Sequence, residues 1–333
     1  MTQPIIDKTV AVVGAGPIGL EMAVALRRAG VDYVLLEARQ LGHTISWWPR
    51  GTHFFSTPER IAIAGVPLQT TEQIQVTNEQ YLAYLRGVAQ QFGVRVNAYE
   101  PVLKVERVSE GFRVATRAMT GERTYACRYV VLATGGMDAP NRLGIPGEDL
   151  PHVTHYLDDP HRYFQQRLLV VGGRNSALEA VMRCWRAGAE VTLSHRGPQL
   201  ERERIKKALL EDLDTVLREE KIGYLPGTEL AAVEPGWATL VSGQGERFRR
   251  EADFVLLCTG FVADMSLFEG AGVRLRGELQ VPEYDPETME TNIPGLFVAG
   301  TAAGGTQRKY VHFIETSHVH VKKIFKQITG KDI

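Results

Sequence analysis

Twice in this chain a short apolar run meets a glycine-rich turn and continues as a helix, and no other feature constrains the fold as tightly. The first instance is Val10-Ala11-Val12-Val13 followed by Gly14-Ala15-Gly16-Pro17-Ile18-Gly19. Apolar residues recur at Leu20, Met22, Ala23 and Leu26, and Gly30, after Arg27 and Arg28, predicts where that helix stops. A second strand, Tyr33-Val34-Leu35-Leu36, ends at Glu37. Gly14 suits a tight turn, Gly16 lets a pyrophosphate approach the backbone, and Gly19 lets the helix pack closely on the strand. Glu37 stands about 20 residues beyond the first glycine, where an acid accepts ribose hydroxyls. Strand, turn, helix and acid together read as a dinucleotide site.

The second instance begins at Leu168-Leu169-Val170-Val171, opens into Gly172-Gly173-Arg174-Asn175-Ser176-Ala177, and continues through Leu178, Ala180, Val181, Cys184 and Trp185 to Gly188. Arginine replaces the second glycine of the pattern. The strand Glu190-Val191-Thr192-Leu193 leads to Ser194-His195-Arg196 rather than to an acid. An acid would repel a 2′-phosphate and an arginine can pair with it, so NADPH is favoured over NADH. Arg202 and Arg204 either join the same basic patch or face solvent.

Composition narrows the class. The 333 residues suit about two domains, and 44% apolar with 23% charged residues is typical of globular chains. The 38 basic and 39 acidic residues nearly cancel, so a nucleic-acid partner is not expected. No apolar run is long enough to span a bilayer, and the first residues do not form a signal peptide. Cys127, Cys184 and Cys258 lie far apart, without a CxxC or zinc spacing. A cytoplasmic protein without a membrane partner is expected.

Two apolar segments ending in Thr-Gly, Val130 to Gly135 and Leu256 to Gly260, suit a backbone passing close beneath a nucleotide. They precede the crossings between domains. The chain returns through Asn292-Ile293-Pro294-Gly295-Leu296-Phe297-Val298-Ala299-Gly300, and a final helix is expected over about Lys309 to Ile328. The fold expected is α/β, with two Rossmann-like domains, the second inserted into the first: residues 1–150 and 263–333 form one, residues 151–262 the other.

Two such units, two Thr-Gly crossings and the late Gly295 to Gly300 segment resemble the thioredoxin-reductase-like flavoprotein disulfide reductases. The Gly172 to Ala177 loop, Thr52-His53-Phe54-Phe55-Ser56-Thr57-Pro58-Glu59, the run from Glu287 to Gly300 and Phe313-Ile314-Glu315 are similar to the bacillithiol disulfide reductase branch. The resemblance implies FAD in the first unit, at Gly14, Gly16, Pro17, Gly19, Glu37, Thr134, Gly135, Gly300, Thr301 and Tyr310. It implies NADPH in the second, at Gly172, Gly173, Arg174, Asn175, Ser176, Ala177, His195, Arg196 and Gly260. It also implies a homodimer. Three positions depart from the pattern. The CxxC of thioredoxin reductases is absent, Ile18 stands where the bacillithiol branch has a glycine-loop cysteine, and Thr301 replaces a flavin-binding aspartate.

The resemblance places Ser46-Trp47-Trp48-Pro49-Arg50-Gly51-Thr52-His53-Phe54-Phe55 beside the flavin. His53 is the candidate proton donor, and the aromatic side chains either stack on a planar ligand or seal the site. Gln307, Arg308, Lys309 and Tyr310 would start the last helix and stabilise charge on reduced flavin, or be solvated surface. The cysteines read as structural. The spacing of His312, His318 and His320 does not converge on a helix, so no metal is expected. The leading function is an FAD-dependent NADPH oxidoreductase reducing a small-molecule or small redox-protein acceptor, including a low-molecular-weight disulfide such as bacillithiol disulfide. The alternatives are a cysteine-independent diaphorase or ferredoxin–NADP reductase, a flavin monooxygenase, and a non-enzymatic redox sensor.

Overall fold

A computed structural model of the chain describes residues 5–307 and 311–333. It divides into two compact units. One comprises Met1–Trp47, Gly51–Ala139 and Phe261–Ile333, the other Trp48–Arg50 and Pro140–Gly260. Among the described residues no helix is long and apolar enough to cross a membrane.

The first unit is built on a parallel sheet in which Ile6–Val13 lies between Tyr33–Leu36 and the long strand Gly121–Leu132. Val96–Asn97 extends the sheet beyond Tyr33–Leu36. The long strand changes partner along its length. Its first half pairs antiparallel with Gly111–Ala118, Phe112 opposite Cys127, and its last residues pair parallel with Leu296–Val298, Leu296 opposite Val130. Val10, Ala11, Val12 and Val130 to Leu132 are fully buried, as strands covered on both faces require. Helix Pro17–Arg28 follows the first strand directly. Pro17 needs no helical N–H partner there, and Gly30 at φ +70° follows the helix end as expected.

The second unit has a five-stranded parallel sheet ordered Gly223–Pro226, Glu190–His195, Arg167–Val171, Phe254–Leu257, Val153–Thr154. Side-chain alternation divides its core. Leu168 and Val170 pack with Leu178, Val181 and Cys184 of helix Asn175–Arg186. Leu169 faces the other way and, with Val255, packs with Leu230 and Leu240 of an antiparallel sheet formed by Thr228–Glu234, Trp237–Ser242 and Arg247–Glu251.

The last helix differs from expectation. It spans Ile314–Thr329, several residues later than the sequence pattern places its start. The reason is a side chain: Gln307 Oε1 accepts the N–H groups of both Val311 and His312, which keeps these two residues out of the helix. Arg308, Lys309 and Tyr310, expected to begin the helix, lie outside the described residues.

Candidate cofactor sites on two glycine loops

In the first unit the turn after Ile6–Val13 can only be glycine. Gly14 has φ +100°, and a Cβ there would lie 2.4 Å from the carbonyl oxygen of Ala133. A Cβ on Gly19 would lie 1.9 Å from Gly14 O, so the helix approaches its own loop to backbone distance. Gly16 is the opposite case: nothing stands within 4 Å of its Cβ direction, leaving room for a ligand against the backbone. Glu37 is pinned here. Its Oε2 accepts Ala15 N–H at 2.7 Å and its Oε1 accepts Arg39 N–H at 2.8 Å. Each carboxylate oxygen keeps a second lone pair, so Glu37 can still receive ribose hydroxyls.

Two further segments close on this loop. Thr134 Oγ1 is buried and has no hydrogen-bond partner, and Gly135 follows at φ +87°. A Cβ on Gly136 would meet Thr301 O at 3.3 Å and Gly305 O at 3.4 Å. A Cβ on Gly300 would meet Ile18 at 3.5 Å. Gly14, Gly16, Gly19, Thr134, Gly135, Gly300 and Thr301 are therefore brought together, with Ile18 packed between two of their turns. Pro17 opens the helix beside them.

The helix termini carry the same message. Helix Asn78–Gln91 closes its own start with a capping box, Thr77 Oγ1 accepting from Gln80 N and Gln80 Oε1 from Thr77 N. The two glycine-loop helices have no side-chain cap and no acid in their first turn. A helix start without a side-chain cap, beside the open backbone of Gly16, fits an anionic dinucleotide.

In the second unit Gly172 is forced by Cys258, whose carbonyl oxygen would lie 2.7 Å from a Cβ. Gly173 accommodates a side chain: a Cβ there would fall 2.2 Å from His195 Nδ1. The His195 ring thus lies over the loop, its Nε2 3.3 Å from Gln199 O. Arg174 is the extended N-cap residue of the helix, and Arg174, Ser176 and Arg196 are exposed around the loop. Asn175 does not point to the loop's open side. Its Oδ1 accepts Lys206 N–H at 2.9 Å and its Nδ2 donates to Arg204 O at 3.2 Å, which fastens the 204–206 segment. Ala177 is buried under Gly172. Arg202 is held bidentately by Asp214 and Arg204 pairs with Glu201, so neither is an uncommitted phosphate ligand. Gly260 has φ +91°, and Asn141 ties its strand end, donating to Gly260 O and accepting from Thr259 Oγ1.

The aromatic loop is split. Trp47 packs on Phe261 with centroids 4.5 Å apart, and Phe54 is buried against Tyr81 at 4.7 Å. His53 is exposed, and its backbone pairs with Thr77. Among the described residues, the contacts that bring Gly135, Gly136 and Gly300 to the first glycine loop do not involve His53. The thiols are poorly suited to redox work, since burial pushes each of Cys127, Cys184 and Cys258 up to about 12.

One histidine escaped the sequence argument. His43 follows Gly42, whose N–H donates to Ala15 O, and its Nδ1 is buried without a partner. Burial, then the charge of Arg39, lowers its pKa. The sequence signal for it is only the glycine that precedes it, Gly42, which the structure places in the left-handed region. His312 and His320 rings stand 5.5 Å apart, because His312 precedes the helix and folds back onto it. No cluster of three or more metal-ligating side chains occurs among the described residues.

Comparison with known proteins decides the family: residues 11–300 match the family model described as pyridine nucleotide-disulphide oxidoreductase. The chain belongs to that family. It is an α/β flavin- and pyridine-nucleotide-type oxidoreductase. It is 33% identical to bacilliredoxin reductase Bdr of Bacillus subtilis over 327 residues, 98% of this chain and 99% of that protein. It is 27% identical to a ferredoxin–NADP reductase of Ignicoccus hospitalis, covering 89% of this chain and 90% of the relative. Among solved structures, bacillithiol disulfide reductase from Bacillus cereus superposes with a TM-score of 0.92 at 33% identity, over 97% of this chain and 99% of that one.

Proposed function

We propose that this chain takes reducing equivalents from NADPH on the second unit, holds FAD on the first, and reduces a low-molecular-weight disulfide of the bacillithiol class. FAD would supply two-electron acceptance from the nicotinamide and onward donation to the acceptor. Gly16 and the uncapped helix after it would receive the pyrophosphate, Glu37 a ribose, and Thr134 Oγ1 a cofactor oxygen. On the second unit Gly172 and the start of helix Asn175–Arg186 would receive the phosphates, and His195 and Arg196 the 2′-phosphate. His53 is the proposed proton donor to the departing thiolate. Tyr310 is proposed to face the flavin, and the protein to act as a cytoplasmic homodimer. The observation that carries the cofactor assignment is the buried, partnerless Thr134 hydroxyl beside the Gly14 turn.

One observation favours a second reading for the acceptor. Ile18 cannot form a mixed disulfide, and the three cysteines are buried or half-buried thiols. A one-electron acceptor such as a ferredoxin requires no protein thiol. An acceptor panel separates the two. NADPH consumption that rises with bacillithiol disulfide and yields two thiols per NADPH supports the disulfide. Turnover with ferredoxin or dyes and none with any disulfide removes it.

A further inference from the structure

The turn that carries Gly300 and Thr301 is held from behind by two side chains that neither glycine loop uses. His320, buried on helix Ile314–Thr329, accepts the N–H of Gly300 on Nδ1 at 3.2 Å. An imidazolium has a proton on both nitrogens and would set donor against donor here, so this contact requires the neutral ring with its proton on Nε2. The surroundings agree, since burial, then His312, then Lys323 push His320 down to about 4. At the other end of the turn lies Gln307. Its Nε2 donates to Thr301 O and His312 O at 3.3 Å each, and its Oε1 accepts Val311 N–H and His312 N–H. A Cβ on Gly304 would fall 2.6 Å from the Gln307 side chain, so glycine at 304 makes room for this amide.

We infer that His320 is a positioning residue for the flavin site, an uncharged acceptor that fixes the Gly300 peptide against Ile18, with Gln307 locking the far end of the same turn. His320 touches neither substrate nor cofactor in this role. It sets the orientation of the Gly300–Thr301 backbone, which lies so near Gly136 that a Cβ there would meet Thr301 O at 3.3 Å. Burial first, and then His312 and Lys323, keep a proton off the ring and so hold the acceptor lone pair available.

The inference rests on FAD occupying the first unit, so FAD binding by wild-type apoprotein is measured first, from the change in flavin fluorescence. Failure at that step refutes the cofactor assignment; the variants then test His320 separately. Asparagine can place its amide oxygen near Nδ1, whereas glutamine reaches nearer Nε2. His320→Asn should keep FAD affinity within about threefold of wild type. His320→Gln and His320→Leu should weaken it on the order of tenfold and shift the flavin midpoint potential. Equal affinity and potential in the Asn and Gln variants would overturn the role. A measurement without substitution guards against variants that fail to fold. In ¹⁵N-histidine-labelled wild-type protein at pH 7, His320 should appear as the neutral Nε2–H tautomer. A charged ring, or a proton on Nδ1, would overturn the inference as surely.

Discussion

Replacing Thr134 by valine separates a cofactor ligand from a structural residue, because the two roles predict opposite changes in stability. The Thr134 hydroxyl is buried with no hydrogen-bond partner. Such a group costs about 1–3 kcal/mol relative to an apolar replacement of similar shape. Thr134→Val should therefore leave apoprotein stability unchanged or raised, although it is a substitution in a packed turn. In the complex the hydroxyl regains a bond worth about 0.5–1.5 kcal/mol, so FAD should bind the variant roughly two- to tenfold more weakly. The assays are the thermal midpoint of the apoprotein and a fluorescence titration with FAD. A destabilised apoprotein with unchanged FAD affinity would refute the reasoning, placing the hydroxyl in the fold and not in the site.

Other outcomes follow from the same geometry. Converting Cys127, Cys184 and Cys258 together to alanine should leave NADPH oxidation with a dye acceptor within about threefold of wild type in folded, FAD-loaded protein, since burial keeps all three thiols protonated; loss of activity would restore a thiol step. Arg196→Ala should raise KM for NADPH about tenfold and leave KM for NADH unchanged, checked by steady-state kinetics with both nucleotides. His318 donates to Glu21 at 2.7 Å, and that bond, opposed by burial and aided by the Glu21 charge and the Arg60 carbonyl, raises its pKa, while Lys322 lowers it. A raised folded pKa gives stability that is present below the unfolded value near 6.5 and is lost as pH rises through the folded one. Thermal midpoints should fall across that window, and His318→Gln should flatten the fall.

What the chain disclosed before folding was local. Gly14, Gly16, Gly19 and Glu37 lie on one strand–turn–helix–strand segment, so adjacent residues carry the entire motif, and Gly30 marks the helix end within the same stretch. The nested order of the two units was legible because each Thr-Gly segment sits at a crossing. Contacts across the sequence were not. Gln307 delays the last helix by capturing N–H groups four and five residues ahead, which helical periodicity cannot register. His312 meets His320 only because it lies outside the helix. Arg202 looked available for a phosphate until Asp214, one helix later, proved to hold it. The missing partner of Thr134 is a property of packing alone.

An anaerobic titration of FAD-loaded protein with NADPH tests the central claim most directly, through the visible flavin band. Rapid bleaching at one equivalent, with NADH far slower, is the result expected of two working nucleotide sites. Bound FAD that stays oxidised with excess NADPH would contradict it, and the second glycine loop would lose its assignment.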